Sequence, residues 1–162
     1  GDGTGTKFAG LAGTPTAGGW ARFDWPSYNT TQGATYPAVC SLTTGGRHLV
    51  IGPGNGGIGW FQVLDAGNNF AAAAGTPTAG GWGRLDWPAY NAASGSVYPA
   101  CVDADGDGRD ELLVGLGPTA AGSGGYLRLF DDLSAGLAAI NPWVRVDWTT
   151  YNASGGPTRP AK

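Results

Sequence analysis

Apolar positions along this chain fall in short runs: LeuValIleGly at 49–52, TrpPheGlnValLeu at 60–64, LeuLeuValGlyLeu at 112–116 and TyrLeuArgLeuPhe at 126–130. Gly, Pro, Asn, Asp and Ser close each run, which is the punctuation of strands and turns. In Trp82-Gly83-Arg84-Leu85-Asp86-Trp87 the alternation has period two. One face carries Trp82, Arg84 and Asp86, the other Leu85 and Trp87, so one face must pack. The run 49–52 is apolar throughout and suits a central strand buried on both faces. GlyProGlyAsnGlyGly at 52–57 joins two such runs and reads as a hairpin, not a phosphate cradle, because no helix follows it.

These runs repeat. GlyThrProThrAlaGlyGlyTrp at 13–20 recurs unchanged at 75–82, followed by ArgPheAspTrpProSerTyrAsn (22–29) and ArgLeuAspTrpProAlaTyrAsn (84–91). A diverged third copy, TrpValArgValAspTrpThrThrTyrAsn, spans 143–152, so Trp20, Trp82 and Trp143 set periods of 62 and 61. Each period holds four short strand patterns, which predicts a four-stranded antiparallel unit. A repeat of that length and content is the signature of a β-propeller blade. The expected class is therefore all-β, with roughly two full blades plus an extra strand, completed by other chains or by a longer parent array. Residues 1–34 would supply a lone outer strand near 20–25 and a linker, and 35–92 the first blade. Residues 93–153 would form the second, and 154–162 the start of a following repeat or a tail, since Pro160-Ala161 matches Pro99-Ala100.

Composition narrows the classes. Gly at 31 positions and Pro at 11 exclude a bundle or coiled coil, and 41% hydrophobic residues exclude a disordered chain. Nine basic residues against 12 acidic ones lack the positive footprint that nucleic acid demands. No apolar run approaches the ~18 residues of a membrane span, so membrane insertion is not expected. Cys40 and Cys101 sit one place out of phase in TyrProAlaValCys (36–40) and TyrProAlaCysVal (98–102). In extended strands that offset sends the thiols to opposite faces, and both read as buried free thiols.

One stretch carries chemistry. Asp103-Ala104-Asp105-Gly106-Asp107-Gly108-Arg109-Asp110-Glu111 places alternate carboxylates on a Gly-supported turn. Asp103, Asp105, Asp107 and Glu111, with the Arg109 carbonyl, can converge on one hard cation, and Ca²⁺ suits such flexible all-oxygen coordination. The helix–loop–helix version is excluded, because position twelve from Asp103 is Val114. At the matching positions of the other repeat stand Ser41, Thr43 and Gly45, so no carboxylate remains there. Calcium is expected as a local staple rather than a catalytic cofactor. The stretch 103–117, degraded at 41–54, resembles the FG-GAP or VCBS repeats of integrin-like and bacterial extracellular propellers. The resemblance implies that Asp103, Asp105, Asp107 and Glu111 are metal ligands, Glu111 standing where the family more often has Asp. It also implies an extracellular or cell-surface, non-enzymatic role in recognition or structure, and, in several members, sugar binding.

Trp20/Trp82/Trp143, Arg22/Arg84/Arg145, Asp24/Asp86/Asp147, Trp25/Trp87/Trp148, Tyr28/Tyr90/Tyr151 and Asn29/Asn91/Asn152 recur in every copy. Large rings of this kind fill the space between twisted sheets. They are equally a kit for glycans, which present flat C–H faces to rings and hydroxyls to Asp, Asn and Arg. The candidate ligand-binding set is Trp20, Arg22, Asp24, Trp82, Arg84, Asp86, Tyr90, Asn91, Trp143, Arg145 and Asp147. No enzyme is expected. His48 is the single histidine and its counterpart is Asp110, which reads as a surface or strand-end position. The three repeated Asp residues occupy one position in successive units rather than the ~5–10 Å pair that hydrolysis requires. Two functions follow as expectations: a calcium-binding recognition module, most plausibly for carbohydrate, or a self-assembling protein whose copies build a ring, tube or filament.

Overall fold

The computed structural model describes residues 24–31, 33–93, 95–118 and 123–161. Two antiparallel sheets dominate it. The first contains β1 (Thr35–Cys40), β2 (His48–Pro53), β3 (Trp60–Asp65), β4 (Ala71–Ala72) and β5 (Trp82–Arg84). The second runs β6 (Val97–Val102), β7 (Glu111–Leu116), β8 (Tyr126–Phe130) and β9 (Ala139–Arg145), in sequence order. Neither sheet closes on itself. The hairpin read at 52–57 links β2 to β3, whose register pairs Val50 with Val63. The expected lone strand near 20–25 falls, apart from Asp24 and Trp25, outside the described residues.

The first sheet has five strands rather than four because the segment between Ala72 and Trp82 splits the outermost strand. Val63 spans the break, donating to Gly81 O (2.7 Å) and accepting from Ala73 N (3.0 Å). In the second sheet the same edge is one strand, with a register shift between Leu127 and Leu129. Three single-turn helices, not expected from the alternation, stand at matching places in the repeats: α1 (Pro26–Thr31), α2 (Pro88–Ala92), which follows β5, and α3 (Thr149–Ala153), which follows β9. In the first two a leading Pro presets the helical φ and gives up an N–H that would have had no partner anyway.

The sheets stack with β1 against β6. A continuous core runs through both, including Val50, Phe61, Val63 and Leu85 from the first and Val97, Leu112, Val114 and Phe130 from the second. Phe61 and Phe130 meet at 5.5 Å between ring centres. Gly52 is required by this approach, because a Cβ there would strike the Val97 carbonyl and the Pro99 ring. Gly115, in the same place on the second sheet, is required by the Thr158 carbonyl and the Pro160 ring. Residues 156–160 thus lie on the second sheet as 95–99 lie on the first. Tyr28, Tyr90 and Tyr151 each tie a helix to the next segment, their hydroxyls donating to the carbonyls of Ala34, Ser96 and Pro157.

The expectation of free thiols is overturned: Cys40 and Cys101 form a disulfide, with Cα atoms 5.5 Å apart. Within a single sheet the one-place offset does send the two side chains to opposite faces. Two sheets stacked in the same orientation present opposite faces to each other. Thiols on opposite faces of their own sheets are then the pair that can meet. Their neighbours confirm the geometry, since Val39 and Val102 point outward, 67% and 43% exposed.

Candidate functional site

Two clefts repeat from one sheet to the next. The first, about 280 Å³, is lined by Asp24, Trp25, Trp60, Thr78 and Trp82. The second, about 520 Å³, is lined by Asp86, Trp87, Tyr126, Pro142 and Trp143. Each takes an Asp-Trp pair from the end of one repeat, the aromatic that opens β3 or β8, and the Trp of the following outer strand. The walls are nearly perpendicular. Trp82 meets Trp25 at 6.4 Å and 86° and Trp60 at 6.0 Å and 84°. Trp143 meets Trp87 at 5.5 Å and 76° and Tyr126 at 6.3 Å and 86°. Edge-to-face packing holds such rings in place while leaving faces open to a ligand.

The repeated Arg residues back these walls. Arg84 lies over the Trp60 ring at 5.2 Å and its Nε donates to Ile58 O, while Arg145 lies over Tyr126 at 4.7 Å and donates to Gly124 O. The floors differ. Beneath the first cleft is Gln62, buried, accepting from Asp24 N (3.2 Å) and donating to Gly80 O (3.0 Å). Beneath the second is Arg128, 1% exposed, bonded to Asp86 Oδ2 at 2.7 Å and stacked on Trp143 at 5.1 Å. Sequence reasoning passed over both residues, although their matching places in β3 and β8 were a usable signal.

The structure divides the expected ligand set. Trp82 joins Asp24 in one cleft and Trp143 joins Asp86 in the other. Arg84, Asp86 and Asn91 also border a separate hollow of about 590 Å³ with Ile58 and Pro88. Tyr90 is fully buried, its hydroxyl donating to Ser96 O and accepting from Gly117 N; it braces the fold instead of facing a ligand. Asn91 Nδ2 donates to Leu85 O, and Asn152 Nδ2 repeats the bond to Val146 O. Asp147 is exposed beside Trp148, itself 62% exposed, with no following sheet against them among the described residues. Trp20 and Arg22 lie outside the described residues.

The acidic loop joins β6 to β7. Carboxylate oxygens of Asp103, Asp105 and Glu111 lie within 4.8 Å of one another. Asx bonds shape it: Gly106 N and Gly108 N donate to the two Asp103 oxygens, and Asp107 N donates to Asp105 Oδ1. Gly106 and Gly108 have φ of +82° and +85°, which side chains rarely adopt. Glu111 is buried; desolvation raises its pKa above the usual carboxylate range, outweighing the Ala104 N–H that donates to it, and the loop aspartates add to the rise. Asp107 turns away to pair with Arg109, which also pairs with buried Asp132. An all-oxygen, mutually repelling set fits a hard divalent cation held by Asp103, Asp105 and Glu111, whose charge would relieve that repulsion.

This loop is stitched to its carboxylate-free counterpart. Asp110 N donates to Ser41 O (2.9 Å) and Ser41 N donates to Asp110 Oδ2 (2.6 Å); from the separate turn after β8, Leu133 N donates to Leu42 O (3.1 Å). His48 begins β2, buried rather than at the surface. Desolvation holds its imidazole below its ordinary pKa, against the opposing pull of Asp65 and a hydrogen bond with the Cys40 backbone. Among the described residues no helix is long and apolar enough to cross a membrane. The buried disulfide is compatible with an extracellular protein. Comparison with protein-family models, curated proteins and solved structures found no match for this chain.

Proposed function

We propose that this chain is a non-enzymatic, calcium-binding recognition module of FG-GAP or VCBS type, whose sheets are successive β-propeller blades and whose ligand is carbohydrate, met outside the cell. The observation that carries the reading is the pair of equivalent clefts, each combining half-buried rings with one Asp. Sugar C–H faces stack on such rings and hydroxyls bond to the carboxylate. Equivalent weak sites on one chain gain by avidity. The acidic loop is a structural staple in this reading, set away from the rings. A glycan array tests it: binding should appear for the intact chain and fall sharply in Trp82→Ala and in Trp143→Ala, with the far-UV spectrum unchanged. An array with no signal for the folded chain would refute it.

A second reading, self-assembly, draws on the outer face of the second sheet. Val102, Val144, Val146 and Trp148 are exposed there. Their counterparts Cys40, Gly83 and Leu85 are buried, and Trp87 is packed against the core. A further sheet, from another copy or from a longer array, would cover that face as the second sheet covers the first. Native mass spectrometry distinguishes the readings: particles well above 16.3 kDa without a glycan response favour assembly.

A further inference from the structure

Building on the carbohydrate reading, we infer that the first cleft selects a ligand carrying a free ammonium group, such as a de-N-acetylated amino sugar, whereas the second cleft takes neutral ligands. The two clefts share their aromatic walls and their backing Arg, so those features cancel in a comparison. What differs is the charge at the floor.

In the second cleft Arg128 bonds to Asp86 and lies over Trp143, so the site carries its own cation and its acid is neutralised. A second cation there would face a buried guanidinium. In the first cleft the matching residue is Gln62, neutral, with both ends of its amide engaged by backbone groups. The Asp24 carboxylate meets no hydrogen-bond donor or cation among the described residues and stands exposed at the rim beside Trp25, Trp60 and Trp82. Perpendicular aromatic rings with an adjacent acid suit an ammonium group, which is drawn to the negative ring faces and to the carboxylate together. A pyranose bearing –NH₃⁺ can stack its ring on one Trp while directing its charge to Asp24. The N-acetylated sugar has the same ring without the charge.

The experiment titrates the intact chain with a glucosamine trimer, its N-acetylated form and choline, following tryptophan fluorescence and calorimetry at pH 6 in low salt. The expected result is roughly tenfold tighter binding of the amine over the amide form, lost in Asp24→Asn and retained in Asp86→Asn. Gln62→Arg, which gives the first cleft the floor of the second, should also abolish the preference. If that buried change unfolds the chain, exposed Asp24→Asn still decides. Equal binding of the two trimers, or a preference that survives Asp24→Asn, would overturn the inference and leave the carbohydrate reading standing. Choline binding that needs Asp24, with no response to either trimer, would support the ammonium seat and refute the carbohydrate reading. No response to any of the three would overturn both.

Discussion

The first and second sheets are built from the same sequence pattern, yet among the described residues one has its face covered and the other does not. Leu85 is 3% exposed because the second sheet lies over it; Val146, its counterpart one repeat later, is 37% exposed. The clefts show the same economy. The Asp, the Trp residues and the backing Arg recur because the junction between sheets needs them. The floor residue is free to vary between Gln62 and Arg128, and it sets the charge of the site. Shared residues build the junction, and on the proposed reading the residue that differs sets which ligand charge the junction accepts.

The largest expected effect comes from cutting the bond between the sheets. Replacing Cys40 and Cys101 by Ser should lower stability by about 4 kcal/mol in urea, given the separation of 61 residues that the bridge spans. An unmoved midpoint would show that the sheets need no covalent tie. Next, Leu85→Ala should cost about 3 kcal/mol and Val146→Ala less than about 0.5 kcal/mol. Equal costs would mean that the second sheet's face is buried in solution. Third, calcium at about 100 times its dissociation constant should add about 2.7 kcal/mol, and Asp103→Ala should remove that gain. Thr43→Ala, in the carboxylate-free loop, should leave the calcium response unchanged; a thermal scan with and without chelator reads both.

The smallest effect concerns pH. His48 is held neutral in the folded chain, with its pKa lowered by burial. As pH falls through about 6.5, the unfolded chain takes up a proton first, so stability drops from that point until the folded imidazole titrates. His48→Gln should flatten the slope of stability between pH 7 and pH 5. Asp110 at the matching position has no imidazole, so no such step is expected from the second sheet. A slope unaltered by the substitution would place the titration elsewhere.

Much of the fold could be read from the residues. The runs 49–52, 60–64, 112–116 and 126–130 lie in β2, β3, β7 and β8, and the turn at 52–57 is a hairpin. Alternation could not reveal the short helices, whose cause is a local φ set by Pro, or the splitting of the outer strand by a Gly-rich insertion. The disulfide was missed because period-two reasoning describes faces within one sheet and is silent on which face meets its neighbour. The acidic loop was legible as a cluster, but not the turning of Asp107 toward Arg109, which depends on Asp132 arriving from a distant segment. The clefts were legible only in part. Their rings recur in sequence, whereas pairing Asp24 with Trp82, and Asp86 with Trp143, requires knowing that a site straddles two repeats.

That straddling has a numerical consequence. Asp147 and Trp148 form one wall with no opposite wall among the described residues. Valency in such an architecture counts seams, not sheets. On the proposed reading, the two clefts are two seats, and any event that joins this free wall to a partner sheet would create a third seat as well as a contact.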